Sequence, residues 1–156
     1  MRTLVLGIGN SLLTDNGVGI EIARQLRERL GDRQDVVVEE SSGGGLDVAE
    51  RLIGFERAVL IDALSLPNGQ PGTLHAFALG SGPTTWNTLG SHDADVPTSL
   101  QVFATLGSRI PERVDVVGVE ARELKVFCTS LSPEVQRAVP LAVEKVLSIL
   151  APPKAG

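Results

Sequence analysis

Apolar positions along the chain alternate between short unbroken runs and stretches where they recur every third or fourth residue. Residues 3–8 (TLVLGI) form an unbroken run ended by Gly9-Asn10, which predicts a strand buried on both faces, as in a parallel sheet. Over 18–30 the apolar positions Val18, Ile22, Leu26 and Leu30 recur at spacing four, with Ala23 beside them and Arg24, Arg27 and Glu28 turned outward, which predicts a helix. Residues 35–39 predict a second strand, 41–45 a glycine-rich loop, 46–53 a short helix and 57–62 a third buried strand that ends in a carboxylate. This β-α-β-α-β order is the signature of a parallel sheet with right-handed crossovers.

Beyond it, the Pro/Gly-rich segment 67–72 predicts a turn and 73–78 an edge strand of antiparallel sense. Residues 80–91 are polar and irregular. A helix is expected over 94–107, with Val96, Leu100, Phe103 and Leu106 on one face, then a fifth strand over 113–119 and a loop over 120–130. Ser132 followed by Pro133 has the chemistry of a helix start, and Val135, Val139, Val143, Val146 and Leu150 form the inner face of the last helix. The expected fold class is α/β: one domain over 1–151, a five-stranded, mostly parallel twisted sheet with helices on both faces. Pro152-Pro153 ends the helix, and a frayed tail is expected over 152–156.

Composition narrows the function classes. The net charge of −5 and the absence of a dense Lys/Arg block argue against a nucleic-acid partner. A lone cysteine, Cys128, excludes an intramolecular disulfide framework and a Cys-rich zinc site. The apolar start carries one basic residue, Arg2, and is broken by Asn10 and Ser11, so it does not read as a signal peptide. With no apolar stretch near the roughly 20 residues of a membrane span, a cytoplasmic location without a membrane partner is expected.

Four motifs carry candidate chemistry. Gly7-Ile8-Gly9-Asn10 follows the first strand, but the third glycine of a dinucleotide fingerprint is missing, since that position is Leu12. These glycines read as a tight turn where backbone approaches backbone. In Asp15-Asn16-Gly17, Asp15 is expected to cap the first helix and Asn16 to serve the turn. Asp62 closes an apolar strand, where ligands of open α/β sheets bind. His92, in Ser91-His92-Asp93, precedes a helix; taken alone it reads as an exposed loop residue, and His75 as a surface residue of the edge strand. A carboxylate and an imidazole suit a first-row metal, yet two ligands are too few for a tight structural site. No Gly-x-Ser-x-Gly elbow is present, and Cys128 reads as a free thiol in a loop.

Taken together, the opening LVLGIGNSLLTDNGVG, the strand AVLIDAL, the segment SHDADVPTSLQVFATLG, the strand VDVVGVE and the closing LSPEVQRAVPLAVEKVL resemble the hydrogenase maturation proteases in order and spacing over nearly the whole chain. The resemblance implies a mostly parallel five-stranded sheet flanked by helices. It implies an endopeptidase that removes a C-terminal peptide from the precursor of a nickel-iron hydrogenase large subunit after nickel insertion. Nickel would be supplied by the substrate, with no tightly held metal of the chain's own. Three side chains would recognise it: Asp62, His92 and the residue after Asp15. Here the chain departs from the family, which usually has Asp or Glu where Asn16 stands. An amide oxygen can ligate but is neutral, so the site loses one negative charge. Asn16 as a weak ligand, Asp15 or Asp93 supplying the carboxylate, and deamidation of Asn16 before Gly17 remain open at this point. The usual acidic Gly-Gly segment is also altered, to Glu40-Ser41-Ser42-Gly43-Gly44, and Gly43 and Gly44 are the expected substrate contacts.

Two rival readings stand beside the protease. One is a binding module or chaperone of the same fold that recognises a nickel protein without cutting it. The other is a nucleotide-binding domain using the Gly7/Gly9 turn.

Overall fold

The structure, a computed structural model, describes residues 2–42, 44–80 and 96–151. Five strands form one sheet: β1 (Thr3–Ile8), β2 (Val36–Ser41), β3 (Arg57–Leu64), β4 (Leu74–Ala78) and β5 (Arg113–Glu120). Four α-helices pack on it: α1 (Val18–Leu30), α2 (Gly45–Leu52), α3 (Val96–Thr105) and α4 (Pro133–Leu150). The strand order is β2-β1-β3-β5-β4, parallel throughout except for β4, which pairs antiparallel with β5 at the edge. This is the expected mostly parallel α/β architecture.

Alternation along the strands divides the core into two layers. Val5, Val59, Ile61, Ala63, Val117 and Val119 face α1 and α4. Leu4, Leu6, Ile8, Leu60, Val114 and Val116 face α2 and α3. Burial on both faces explains why these strands read as unbroken apolar runs. The inner face expected for α4 is buried at all five positions.

On α3 the helix stops at Thr105, so the expected face ends early. Val96 and Leu100 are buried and Phe103 packs against the same layer, but Leu106 lies past the helix end and is 76% exposed. At that end the chain turns through Gly107, whose φ of 92° suits glycine. The expected tail over 152–156 lies outside the described residues.

The first loop and α1 sit unusually close to the strand ends. A side chain at Gly7 would run into the Gly19 carbonyl and Ala23, and one at Gly19 into the carbonyls of Ile8 and Ile61. Glycines on both surfaces let the start of α1 rest directly on β1 and β3. A short 3-10 helix (Thr14–Gly17) leads into α1 and packs against β3. This sets residues 14–17 at the carboxyl ends of β1 and β3. The strand order reverses there, and open α/β sheets bind ligands at such a point.

Candidate active site

Asn16 lies within this 3-10 helix, half-buried. Its Oδ1 accepts the Asn10 N–H at 3.0 Å, and its backbone carbonyl lies 3.2 Å from the same nitrogen. The close approach requires Gly9, whose φ is 147° and where a side chain would strike the Asn16 carbonyl. The Gly7/Gly9 motif is thus a turn that lets backbone meet backbone. Its geometry serves Asn16 rather than a phosphate. The bond to Asn10 also orients the amide, because only the oxygen can accept. An amide oxygen has a second lone pair, and the amide NH2 group cannot ligate a cation.

Asp62 is fully buried. It does not end β3: the strand runs two residues further, to Leu64, and Asp62 pairs with Gly118 of β5. Its Oδ1 accepts the Ala63 N–H at 2.8 Å. With Leu60, it occupies the strand positions that face the α2/α3 layer. Val96, the first residue of α3, is buried in that layer four residues after His92 in sequence. His92 and Asp93 themselves lie outside the described residues, as does Gly43, while Gly44 immediately precedes α2.

Asp15 departs most from expectation. It does not cap α1, whose N-cap is Gly17 and makes no side-chain cap bond. Its fully buried carboxylate instead reaches across the fold. Oδ2 accepts the N–H of Arg122 at 2.8 Å, the N–H of Glu123 at 2.9 Å and the Ser132 hydroxyl at 2.8 Å, and Oδ1 accepts the Ser132 N–H at 2.7 Å. Four donors offset the cost of burying the charge. Ser132 does stand at the start of α4, but its hydroxyl donates to Asp15 and makes no cap bond of its own. This fastening removes Asp15 as the source of a missing metal-binding carboxylate. It joins residues 121–132 to the 3-10 helix that carries Asn16. The signal missed in the sequence was an acid beside the crevice and a Ser-Pro 117 positions away, which no local pattern connects.

The glycine-rich loop is fastened differently. Ser41 donates its hydroxyl to Asp47 Oδ2 at 2.8 Å, and Arg51 Nε reaches the same oxygen at 3.1 Å. The Ser41 hydroxyl, and after it the Arg51 guanidinium, hold the Asp47 carboxyl below its ordinary pKa. A cleft of about 300 Å³ opens between this loop and the first one, lined by Gly9, Asn10, Ser11, Arg24, Glu40, Ser41 and Ser42 among others. A second cleft of about 240 Å³, sharing Ser11, Ile20 and Arg24, lies on the α4 side of the same turn. Glu40 is shared by Arg24 at 3.4 Å and Arg27 at 3.1 Å.

His75 is not a plain surface residue. It pairs with Gly118 from the opposite side to Asp62, so the two lie on one row, two strand spacings or about 10 Å apart. Its Nε2 is buried without a hydrogen-bond partner, 3.7 Å from the carboxylate of the buried Glu120. Cys128 is exposed, as expected of a loop thiol. Among the described residues, no group of three or more His, Cys, Asp or Glu could hold a metal, and no helix is long and apolar enough to cross a membrane.

Comparison with known proteins identifies the family and the fold. The family model HycI, hydrogenase maturation protease, matches residues 20–149. The hydrogenase 2 maturation protease of Escherichia coli K12 is 27% identical over 151 residues, which cover 96% of this chain and 91% of that one. The solved structure of the hydrogenase maturating endopeptidase HybD from E. coli superposes with a TM-score of 0.75 at 27% identity, covering 96% of this chain and 92% of that one. HybD from Thermococcus kodakarensis, at 24% identity and a TM-score of 0.66, shares the fold over 97% of this chain and 100% of its own. The family match spans most of the chain and the fold agrees throughout, so this chain belongs to the hydrogenase maturation proteases, a family of endopeptidases.

Proposed function

We propose that this chain removes the C-terminal peptide from the precursor of a nickel-iron hydrogenase large subunit, and that cleavage depends on nickel already held by that precursor. The observation that carries the reading is local. In a chain of this family, the turn bearing Asn16 packs on β3, the strand that buries the Asp62 carboxylate toward the same end of the sheet. Nickel enters as part of the substrate. Asp62 and His92 bind it, and Asn16 completes the grip through its amide oxygen. Carboxylate and imidazole both suit nickel, and fixing the ion fixes the scissile bond beside it. Gly43 and Gly44, which follow the cleft-lining Ser41 and Ser42 in sequence, contact the substrate backbone. The work is done in the cytoplasm.

Asp62→Ala and His92→Ala are expected to abolish cleavage of nickel-loaded precursor, measured by the mobility shift of the large subunit, while leaving the melting temperature within a few degrees of wild type. Full processing by either variant overturns the proposed grip. The neutral amide of Asn16 favours one second reading, a protein that binds the nickel-loaded precursor without cutting it. A stable complex with no truncation would select that reading.

A further inference from the structure

Phe127 is 81% exposed, Leu12 55% and Val126 54%. Among the described residues the other exposed large apolar side chains are dispersed: Leu46 is on α2 and Ile53 just past it, Val102 is on α3 and Leu106 just past it, and Leu141 is on α4. Leu12 and Phe127 lie on two loops that meet at a short β-bridge. Leu13 and Cys128 make a parallel β-bridge; the Cys128 N–H donates to the Leu12 carbonyl, and the Thr14 N–H to the Cys128 carbonyl. The Thr14 hydroxyl donates to the Val126 carbonyl at 2.7 Å. The bridge sets Leu12 beside Phe127, the residues one step before each partner. Two residues beyond Leu13 the buried Asp15 carboxylate ties down Arg122, Glu123 and Ser132. Exposed apolar side chains on such a fixed frame mark an interaction site.

We infer that Leu12 and Phe127 form a docking platform for the folded body of the hydrogenase large-subunit precursor. The inference rests on the proposed function. Position identifies the occupant. Leu12 is four residues from Asn16, a chain distance of at most about 14 Å. A standard protein–protein interface covers about 800 Å² on each partner. A folded precursor with its scissile segment at Asn16 and Asp62 therefore covers the rim that carries this patch. The patch also has the anatomy of an interface centre, an aromatic anchor beside an aliphatic side chain. Its two loops are the ones that the Asp15 carboxylate locks to the site, so docking and the site keep one geometry.

The test is steady-state cleavage of nickel-loaded precursor by wild type, Phe127→Ser, the Leu12→Ser/Phe127→Ser pair, and Leu106→Ser as an exposed control. The pair is expected to raise KM about tenfold or more, with kcat within about twofold of wild type. Leu106→Ser is expected to change neither. Because all these side chains are exposed, the melting temperatures should match. If wild type cleaves and the pair keeps the wild-type KM, the platform is wrong and the proposed function stands. Loss of a wild-type dimer on Phe127→Ser, with KM unchanged, would assign the patch to self-association and overturn the inference. If wild type neither cleaves nor binds the precursor, the functional reading falls first and the platform with it.

Discussion

Two turns leave the carboxyl ends of adjacent strands, one after β1 and one after β2, and each is secured by an aspartate. Asp15 secures the first from within. Its carboxylate is fully buried, accepts four hydrogen bonds and connects residues more than 100 positions apart. Asp47 secures the second from outside. Its side chain is 43% exposed and its partners, Ser41 and Arg51, lie six and four residues away. In a dry site each bond is strong, and an unmet donor is expensive. In a wet one, water replaces whatever is lost. The first turn carries Asn16 and must hold one geometry. The second borders the cleft proposed to receive the substrate, where a fastening screened by water tolerates adjustment.

The largest expected effect follows from the buried side. Asp15→Ala leaves three backbone N–H groups and a hydroxyl without their acceptor, and should cost about 4 kcal/mol of stability in urea unfolding. Asp15→Asn keeps one acceptor but turns an NH2 group toward donors, so it should recover less than half of that loss. If Asp15→Ala costs no more than a surface substitution, the contrast between the two turns fails.

Next comes Ser132→Ala. It removes one hydroxyl bond to Asp15 and leaves the Ser132 N–H in place. The expected loss is about 1 kcal/mol, the ordinary net value of a hydrogen bond. Measured beside Asp15→Ala in a double-mutant cycle, the two should be strongly non-additive, because the hydroxyl has no partner once the carboxylate is gone. Simple additivity would mean that Ser132 acts elsewhere.

The sequence made the sheet legible because its strands are buried on both faces and bounded by turn residues. β1 and α1 have the boundaries that their apolar patterns predict, and β4 is the expected antiparallel edge strand. Local signals misled where a side chain serves a distant element. Asp15 and Ser132 each have the chemistry of a cap for their own helix, yet they bond to each other across the fold. Leu106 keeps helical spacing, but Gly107 follows and the helix has already ended. His75 faces a carboxylate that pairing in the sheet brings near, and no spacing in the sequence reveals it. The placement of Asp62 was legible within two residues, because a carboxylate in an apolar run stands out wherever the strand stops.

The smallest expected effect tests the exposed side. Asp47→Asn keeps an acceptor for the Ser41 hydroxyl and loses the charge opposite Arg51, so at neutral pH it should cost less than about 0.5 kcal/mol. Its dependence on pH is more telling. The folded state holds the Asp47 carboxyl below its ordinary pKa, first through Ser41 and then through Arg51. A depressed carboxyl contributes stability above its unfolded pKa, and that contribution is lost as pH falls through the folded value. The difference between wild type and Asp47→Asn should therefore be constant near neutrality and shrink as pH falls through the acid range. High salt should shrink it as well, because the pair is exposed. The Asp15→Ala deficit should resist salt, since no ion pair within reach of solvent carries it. If salt reduces the two deficits by the same fraction, Asp15 is not the dry fastening that its four donors imply.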